Sequence, residues 1–207
     1  MAEDLPIYSD NVILRSGIQF ADLLRWKNVD TTAIWEKSDG FIAQMEGANH
    51  VDRARAVLEE PSKNGLLRAH AILFEGHEAA GRLRRSNIAA RFRGQDCPEP
   101  EHLDRSLDNF FMWMNAESVA EIHPIEKAAL VLTRIADVWP FDIGNLTSAV
   151  VLANAFLKQG GLAPFFVLPA HMKEFEKIVG QAVTIETQPL VNAIHATIKR
   201  EVEGIVR

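Results

Sequence analysis

Cysteine is almost absent from the 207-residue sequence, which contains only Cys97. An internal disulfide is therefore excluded, and the composition suits a reducing compartment. Cys97 lies in a polar Gly-Gln-Asp-Cys-Pro stretch, in which we identify no base or helix terminus that would activate a thiolate. We interpret it as an ordinary loop cysteine.

The sequence predicts neither a targeting segment nor a membrane-spanning segment. The N-terminus reads Met-Ala-Glu-Asp-Leu-Pro and lacks the apolar run that a signal peptide requires. The longest apolar segment, 149–168, is interrupted by Lys158, the pair Gly160-Gly161 and Pro164, so it is too broken to cross a bilayer. We therefore predict a cytoplasmic protein that does not enter the membrane.

Positive charge is in the minority, with 22 Lys and Arg residues against 28 Asp and Glu residues and a net charge of −6. Proteins that bind nucleic acids need a basic surface to contact phosphates, so we predict no nucleic-acid partner. The seven histidines include no pair at the i, i+4 spacing of a helical zinc site. Glycine-rich phosphate-binding motifs and the G-x-S-x-G nucleophile motif do not occur either. These patterns predict no metal site and no cofactor, and they identify no enzyme class.

Apolar residues at helical spacing make up most of the chain. They occur in the segments 31–45, 51–59, 66–75, 103–114, 125–138, 148–157, 170–179 and 189–206. The segment 148–157 is apolar on almost every side, which is typical of a helix at the centre of a domain. The predicted class is therefore all-α, with at most a small β-hairpin.

Two segments leave alternatives open. The basic, irregular stretch 81–97 is interpreted as an extended segment or short hairpin, with a solvated loop as the alternative. The apolar stripe of the last helix either mediates self-association into a homo-oligomer or packs on its own domain. Trp113 and Phe111 could belong to an aromatic site, but their positions in a helical pattern favour core packing.

A tight loop joins the two central helices. Pro140 cannot continue the first helix, and the pair Gly144-Asn145 tolerates the left-handed backbone conformation. Thr147 or Ser148 can cap the second helix. Because backbone N–H groups at a helix N-terminus attract anions, we predict a possible anion-binding site at Gly144, Asn145, Thr147 and Ser148.

This loop, 139–150, reads W-P-F-D-I-G-N-L-T-S-A-V. It resembles the signature of the Fic (Fido) family, His-Pro-Phe-x-(Asp/Glu)-Gly-Asn-Gly-Arg-x-x-Arg. The positions that agree with the signature are Pro140, Phe141, Gly144 and Asn145.

Two further stretches support the resemblance. Gly-Arg-Leu-Arg at 81–84 is similar to the family segment that leads into a target-docking hairpin, or flap. His-Pro-Ile-Glu-Lys-Ala-Ala at 123–129 is similar to the start of the helix that precedes the signature. The resemblance implies a Fic-like helical domain over 61–207 and an N-terminal helical segment over 1–60. The predicted flap residues are Arg84, Ser86, Asn87 and Ile88.

Members of the family usually transfer AMP from ATP to a hydroxyl group of a target protein. In the mechanism that the resemblance implies, the signature His is the general base and the acidic residue holds Mg²⁺ on the phosphates. The Gly-Asn-Gly backbone and the helix N-terminus hold the phosphates, and the first Arg neutralises their charge.

The chain departs from the family at every position that serves this chemistry. Trp139 replaces the His, and an indole N–H donates hydrogen bonds but cannot act as a base. Ile143 replaces the acidic residue, and a hydrocarbon side chain cannot bind Mg²⁺. Leu146 replaces the second Gly, and Thr147 and Val150 replace the two Arg residues. We therefore expect a catalytically inactive domain that acts as a binding or regulatory module for an unidentified protein partner.

Other interpretations of this loop are also open. Asp142, next to the acidic position, is either a relocated metal ligand or an exposed loop carboxylate. The alternative function is a transferase with altered chemistry that binds a nucleotide or another phosphate compound, and only this alternative requires ATP and Mg²⁺. If the domain is inactive, we expect Trp139 and Ile143 to fill the former pocket.

Glu46 forms part of a second family feature. Some members carry a self-inhibitory helix, (Ser/Thr)-x-x-x-Glu-(Gly/Asn), whose Glu pairs with the second signature Arg. The pair Glu46-Gly47 agrees with this pattern, whereas Ile42 stands at the hydroxyl position. Because Val150 occupies the Arg position, that ion pair cannot form. Glu46 either ends a helix or docks on the loop, where it would pair with a nearby Lys or Arg or be solvated.

Overall fold

The structure, a computed structural model, describes residues 25–89, 92 and 97–206. In this part of the chain the regular structure is helical, and no residue lies in a β-strand. The α-helices are α1 (Thr32–Ile42), α2 (Val51–Ala56), α3 (Lys63–Leu73), α4 (Pro100–Met114), α5 (Glu117–Ala120), α6 (Pro124–Val138), α7 (Asn145–Gln159), α8 (Met172–Thr184) and α9 (Gln188–Val206). A short 3-10 helix, Pro169–His171, precedes α8. The all-α prediction is confirmed.

Helix α7 lies at the centre of the fold. Every residue of α7 from Asn145 to Leu157 is buried, as its apolar pattern predicts. Helix α6 packs against it and also contacts α8 and α9, whereas α1, α2 and α3 contact α7 directly. The loop between α6 and α7 therefore lies where the elements on both sides of the core meet.

The start of α7 differs from the prediction. The helix begins at Asn145, and its N-cap residue is Gly144 in the left-handed conformation. Thr147 and Ser148 therefore lie inside the first turn and do not cap the helix. The physical reason is that the Asn145 side chain bonds to the backbone before it, so the helix is nucleated earlier.

Helix α1 also ends earlier than predicted, at Ile42 instead of residue 45. Beyond it the chain turns through two residues with positive φ, Glu46 at 49° and Gly47 at 73°. This turn leads into α2. Glu46 thus follows the helix in a tight turn and does not belong to its last turn.

The predicted hairpin is not present in the described residues. Residues 82–89 carry no strand, and residues 90–91 and 93–96, where the rest of the hairpin was predicted, lie outside the described residues. The backbone N–H of Arg84 donates to the carbonyl oxygen of Pro140 at 2.9 Å. This segment is therefore bonded to the loop between α6 and α7.

The apolar stripe of α9 packs within the chain. Its residues Leu190, Ile194, Ile198 and Val202 are fully buried, and only Ile205, at 47 % exposure, faces outward. Homo-oligomer formation therefore stays a prediction. None of the described helices is long and apolar enough to cross a membrane.

Trp113 was wrongly predicted as a core residue, because its side chain is 43 % exposed. It lies one residue before Met114, which turns it about 100° away from the buried face of α4. The predicted division of the chain at residue 60 remains a prediction. Residues on both sides of that point contribute to one apolar core.

Asn154 fastens the segment that follows α7. Its side-chain amide donates to the carbonyl oxygen of Phe165 at 2.9 Å, and its side-chain oxygen accepts from the Phe165 N–H at 2.8 Å. Asn154 is 1 % exposed, so water cannot replace these bonds. The pairing holds 162–168 against the central helix.

We expect Asn154→Ala to lower the free energy of unfolding by about 2–4 kcal/mol, because two buried backbone groups lose their hydrogen-bond partners. Chemical denaturation at pH 7 measures this change. Asn192→Ala, at an exposed position of α9, serves as the control and should change the value by less than about 0.5 kcal/mol. Equal effects of the two substitutions would contradict the role given to Asn154.

Candidate functional site

The loop between α6 and α7 is closed by the side chain of Asn145. Its Oδ1 accepts from the Phe141 N–H at 2.9 Å, and its Nδ2 donates to the Phe141 carbonyl oxygen at 2.8 Å. The two bonds form a ring between one side chain and one backbone unit. Trp139, at φ 47°, ends α6 in the left-handed conformation, and Gly144, at φ 65°, begins α7. The loop thus reverses the chain within a few residues.

Gly144 is required by space as well as by backbone conformation. A Cβ atom at this position would lie 2.0 Å from Cε2 of Phe74, a residue that follows α3. The close approach presses the loop against the end of α3. Gly144 and Asn145, for which the sequence suggested anion binding, thus perform a structural role in this fold.

Arg84 is a buried cation, at 2 % exposure, and not part of a solvated loop. Its Nε donates to the Trp139 carbonyl oxygen at 2.8 Å, and its terminal nitrogens donate to the carbonyl oxygens of Ser86, at 2.8 Å, and Pro98. The Trp139 carbonyl lies at the C-terminal end of α6, where the helix dipole favours a positive charge. Burial lowers the pKa of the guanidinium, although nearby Asp142 opposes this shift.

The other predicted flap residues lie differently. Ser86 and Asn87 are exposed, and Ile88 is half-buried against the apolar core. Since the guanidinium of Arg84 holds the Ser86 carbonyl, the exposed pair Ser86-Asn87 starts from a fixed point next to the loop.

His70 is a residue of the site that the sequence interpretation missed. Its ring stacks on Phe141, with ring centroids 3.8 Å apart. Its Nδ1 accepts from the Gly81 N–H at 2.8 Å, so the neutral ring carries its proton on Nε2, which lies 3.1 Å from the Ile143 carbonyl oxygen. Burial lowers the pKa of the imidazole to about 4. A polar residue on the apolar face of α3 was the only sequence signal for this role.

Glu46 docks on the first turn of α7. Its Oε2 accepts from the Thr147 hydroxyl at 2.7 Å and from the Thr147 N–H at 3.3 Å. The partner is thus a hydroxyl and a backbone N–H, whereas the sequence had suggested either a nearby Lys or Arg or solvent. A carboxylate at a helix N-terminus is favoured by the helix dipole. Glu46 therefore occupies the predicted anion site with an anion of the chain itself.

Ser148, the last residue of that predicted anion site, and three other residues of the loop 139–150 make fewer polar contacts here. Ser148 is 1 % exposed, and its hydroxyl has no hydrogen-bond partner in the described structure. Val150 is fully buried in the core, and Asp142 is exposed to solvent. Ile143 is half-buried and contributes its carbonyl oxygen to His70.

A cavity of about 280 Å³, which we call the joint cavity, opens beside Trp139. Its lining residues are Phe41, Gln44, Met45, Glu46, Trp139, Leu146, Val167, Pro169, Met172 and Glu176. Trp139 forms one wall of this cavity, and Ile143 does not line it. The expectation that these two side chains fill the former pocket stays a prediction. The Trp139 ring is held at 8 % exposure and meets Phe92 edge-on, with centroids 5.9 Å apart.

The charge of the joint cavity is one-sided. Of the described residues that line it, Glu46 and Glu176 carry negative charge, and none carries positive charge. Apart from these two carboxylates and the amide of Gln44, the lining side chains are aliphatic or aromatic or contain a thioether. The cavity therefore suits a ligand that is apolar along its length and positively charged at one end.

The sequence profile of the Fic/DOC family matches residues 60–157, which run from just before α3 to near the end of α7. The chain contains a Fic domain. The loop with Trp139, the buried Arg84 and His70 all lie inside the matched range. Glu46 and Glu176, which complete the joint cavity, lie outside it.

Relatives in sequence carry the same family name. The chain is 33 % identical over 95 residues to the protein adenylyltransferase fic-1 of Caenorhabditis elegans, covering 45 % of this chain and 18 % of that protein. It is 26 % identical over 107 residues to the protein adenylyltransferase Fic of Nematostella vectensis, covering 52 % of this chain and 25 % of that protein. The chain thus spans about a quarter or less of the length of these two curated relatives.

Solved Fic structures share the fold. A Fic-1 structure from C. elegans superposes with a TM-score of 0.66 at 21 % identity, over 97 % of this chain and 68 % of that one. A Fic domain containing signaling protein from Bacteroides thetaiotaomicron gives a TM-score of 0.69 at 14 % identity, over 93 % of this chain and 94 % of the other. At these identities the likeness establishes the fold and no more.

We expect Gly144→Ala to lower the free energy of unfolding of the Fic domain by about 2–5 kcal/mol, because it combines left-handed backbone strain with a clash against Phe74. The matched control is Gly40→Ala in α1, where a Cβ would meet nothing within 4 Å. That change should stabilise the domain by about 0.5–1 kcal/mol. Thermal and urea unfolding distinguish the two signs, and a neutral Gly144→Ala would contradict the assigned close contact.

We expect acid to destabilise the domain through His70 and His123. Both imidazoles have a pKa lowered by burial from 6.5 to about 4. Between these two values the unfolded chain binds a proton that the folded chain does not, so stability falls as pH falls from about 6.5 to about 4.

The measurement is the free energy of unfolding at several pH values across this window. His70→Gln should show a shallower decline than the unsubstituted protein, by on the order of 1–3 kcal/mol across the window. The control is His171→Gln, at an exposed position, which should leave the slope unchanged. A His70→Gln slope equal to that of the unsubstituted protein would show that His70 is not held neutral.

Proposed function

We propose that this Fic domain is a non-catalytic binding module and does not transfer AMP. The observation that carries the proposal is the joint cavity, whose described lining offers two carboxylates, an indole and no cation. By the family resemblance, an active member would have a general base, a metal ion and a bound polyphosphate at this loop. Each of these three requirements meets a side chain of the wrong chemistry here.

The general base is the first requirement. Trp139 stands at the position of the signature His, and an indole nitrogen carries a proton that it does not give up near neutral pH. General-base catalysis contributes about 10²–10⁴-fold to a rate. His70 does not supply a replacement, because its Nδ1 accepts from Gly81 and its Nε2 faces the Ile143 carbonyl oxygen.

Phosphate binding is the second requirement. Glu46 already lies on the N-terminal turn of α7, where it accepts from the hydroxyl and N–H of Thr147. A polyphosphate placed there would have to displace this carboxylate or bind beside it, and Glu176 adds a second negative charge. Like charges repel strongly in a partly desolvated cavity. Both effects support a site that does not hold ATP.

The metal ion is the third requirement. Ile143 has no ligand atom, and Asp142, the nearest carboxylate in sequence, is exposed and not among the residues that line the cavity. Mg²⁺ in nucleotide enzymes is bound by one or two carboxylates together with the phosphates of the substrate. These placements support the interpretation of Asp142 as an exposed loop carboxylate.

The binding surface that we propose consists of the joint cavity and the exposed pair Ser86-Asn87. The pair follows Arg84, whose guanidinium is bonded to the carbonyl oxygens of Trp139 and Ser86. A partner that contacts both would therefore meet a preorganised surface, which reduces the entropic cost of binding. The partner is a protein, by analogy with the protein targets of the family.

We expect no AMP transfer when the protein is incubated with labelled ATP, Mg²⁺ and cell lysate. The reason is that the general base, the metal ligand and the phosphate-binding arginine of the signature are all replaced. Trp139→His alone should not restore transfer, since it returns only the first of the three. The C. elegans adenylyltransferase serves as the positive control in the same assay. Incorporation of label that is abolished by Asp142→Ala would overturn the proposal.

Thermal unfolding tests the alternative, in which a nucleotide binds but is used in different chemistry. ATP, ADP or UTP at millimolar concentration with Mg²⁺ should not raise the melting temperature, since binding to the folded state alone would stabilise it. A saturable increase with any of these nucleotides would favour the alternative and contradict a site that excludes polyphosphates.

A further inference from the structure

We propose that the joint cavity binds an alkylammonium group, such as the end of a lysine side chain. The inference deepens the proposed function, because it names the chemistry of the ligand that the binding module accepts. It reverses the charge of the ligand that the family resemblance would place near this loop. The argument rests on the charges, the rings and the volume of the cavity.

The first step is the net charge. Glu46 and Glu176 each contribute one negative charge to the cavity. Glu46 lies before α2, and Glu176, which is distant in sequence, lies on α8. The N-terminus of α7, which Glu46 contacts through Thr147, offsets about half a unit charge. About one and a half negative charges therefore remain, which favours a cation.

The second step is that Glu176 is available. Glu176 is half-buried, and its carboxylate makes no ion pair or hydrogen bond with any described residue. A partly desolvated carboxylate without a counterion gains most from a charge-assisted hydrogen bond with a ligand. Glu46 differs, since one of its oxygens is held by Thr147 and its position is thereby fixed.

The third step is the aromatic wall. Trp139 and Phe41 both line the cavity. Phe41 is held by stacking on Phe166, with ring centroids 5.2 Å apart, and Trp139 is held by the edge contact with Phe92. Cations are attracted to the faces of aromatic rings, and Trp is the strongest partner. Trp139, which stands at the position of the signature His, thus contributes to ligand binding.

The fourth step separates an organic cation from a metal ion. Metal ions such as Mg²⁺ and Ca²⁺ require six or more oxygen ligands, counting water molecules, in a polar shell. Most of the cavity wall is instead aliphatic or aromatic, including Leu146, Val167 and Met172. Lysine-like chains place methylene groups against apolar surface and keep the charged end with polar partners.

The fifth step is volume. A cavity of about 280 Å³ is far larger than the roughly 15 Å³ of probe-occupied volume that one water molecule needs. It therefore has room for the four methylene groups and the ammonium of a lysine side chain. A nucleotide would in addition need a positively charged group for its phosphates, which the described lining of the cavity lacks.

The test is calorimetry with three probes at pH 7 and low salt: N-acetyl-lysine N-methylamide, n-butylammonium chloride and N-acetyl-norleucine N-methylamide. The lysine amide and butylammonium should bind, whereas the norleucine amide, which lacks the ammonium group, should bind at least about tenfold more weakly. Raising the salt concentration to about 0.5 M should weaken the binding of both cations, because it screens their attraction to the carboxylates.

Substitutions then locate the site. Glu176→Gln should weaken the binding of the lysine amide by about tenfold. The matched control is Glu174→Gln, which removes the same charge from the same helix at an exposed residue outside the joint cavity. It should leave the affinity unchanged. Trp139→Leu should weaken binding further, and a thermal unfolding curve verifies that each variant is folded.

The outcomes are separable. If the lysine amide binds more tightly than butylammonium, the natural ligand is the lysine side chain of a peptide. If the two bind equally, the natural ligand is a free alkylamine. Norleucine amide binding as tightly as lysine amide, an unaffected Glu176→Gln, or no binding at about 10 mM would overturn the inference. AMP transfer is measured independently of this titration, so a failure to bind amines leaves the proposal of a non-catalytic domain standing.

Discussion

The pair of hydrogen bonds between the Asn145 side chain and the Phe141 backbone is the interaction on which the rest of the structure depends. It closes the loop between α6 and α7 and begins α7 at a defined residue. Because α7 is buried along most of its length, its starting point sets the register of the core around it. The loop cannot shift without moving the central helix.

Three further contacts hold this loop in place, and each comes from a different part of the chain. Arg84 bonds the carbonyl end of α6, His70 bridges Gly81 and the Ile143 carbonyl oxygen, and Glu46 caps the first turn of α7. Together they satisfy backbone groups of the loop, of Gly81 and of the adjoining ends of α6 and α7, and buried backbone groups need such partners. The site is therefore rigid for reasons of hydrogen bonding, whether or not it performs any chemistry.

The retained and the replaced positions of the Fic signature thus have different physical roles. Phe141, Gly144 and Asn145 determine the shape of the loop, and their substitution would disturb the fold. Trp139 and Leu146 face the joint cavity and determine its chemistry. A site can lose one set of properties while keeping the other, because the hydrogen bonds between Asn145 and Phe141 that close the loop involve the side chains of neither Trp139 nor Leu146.

The sequence by itself determined the helical class, the central place of α7, the tight loop between α6 and α7, and the family resemblance, since apolar periodicity and turn residues act locally. It predicted neither the burial of Arg84 nor the role of His70, because both depend on partners 55 and 73 residues away in the chain. It left the partner of Glu46 open between a nearby Lys or Arg and solvent, and did not identify Thr147. Only tertiary packing decided which donors meet Glu46. It alone also decided that the joint cavity, with its two carboxylates, stays open between elements distant in sequence.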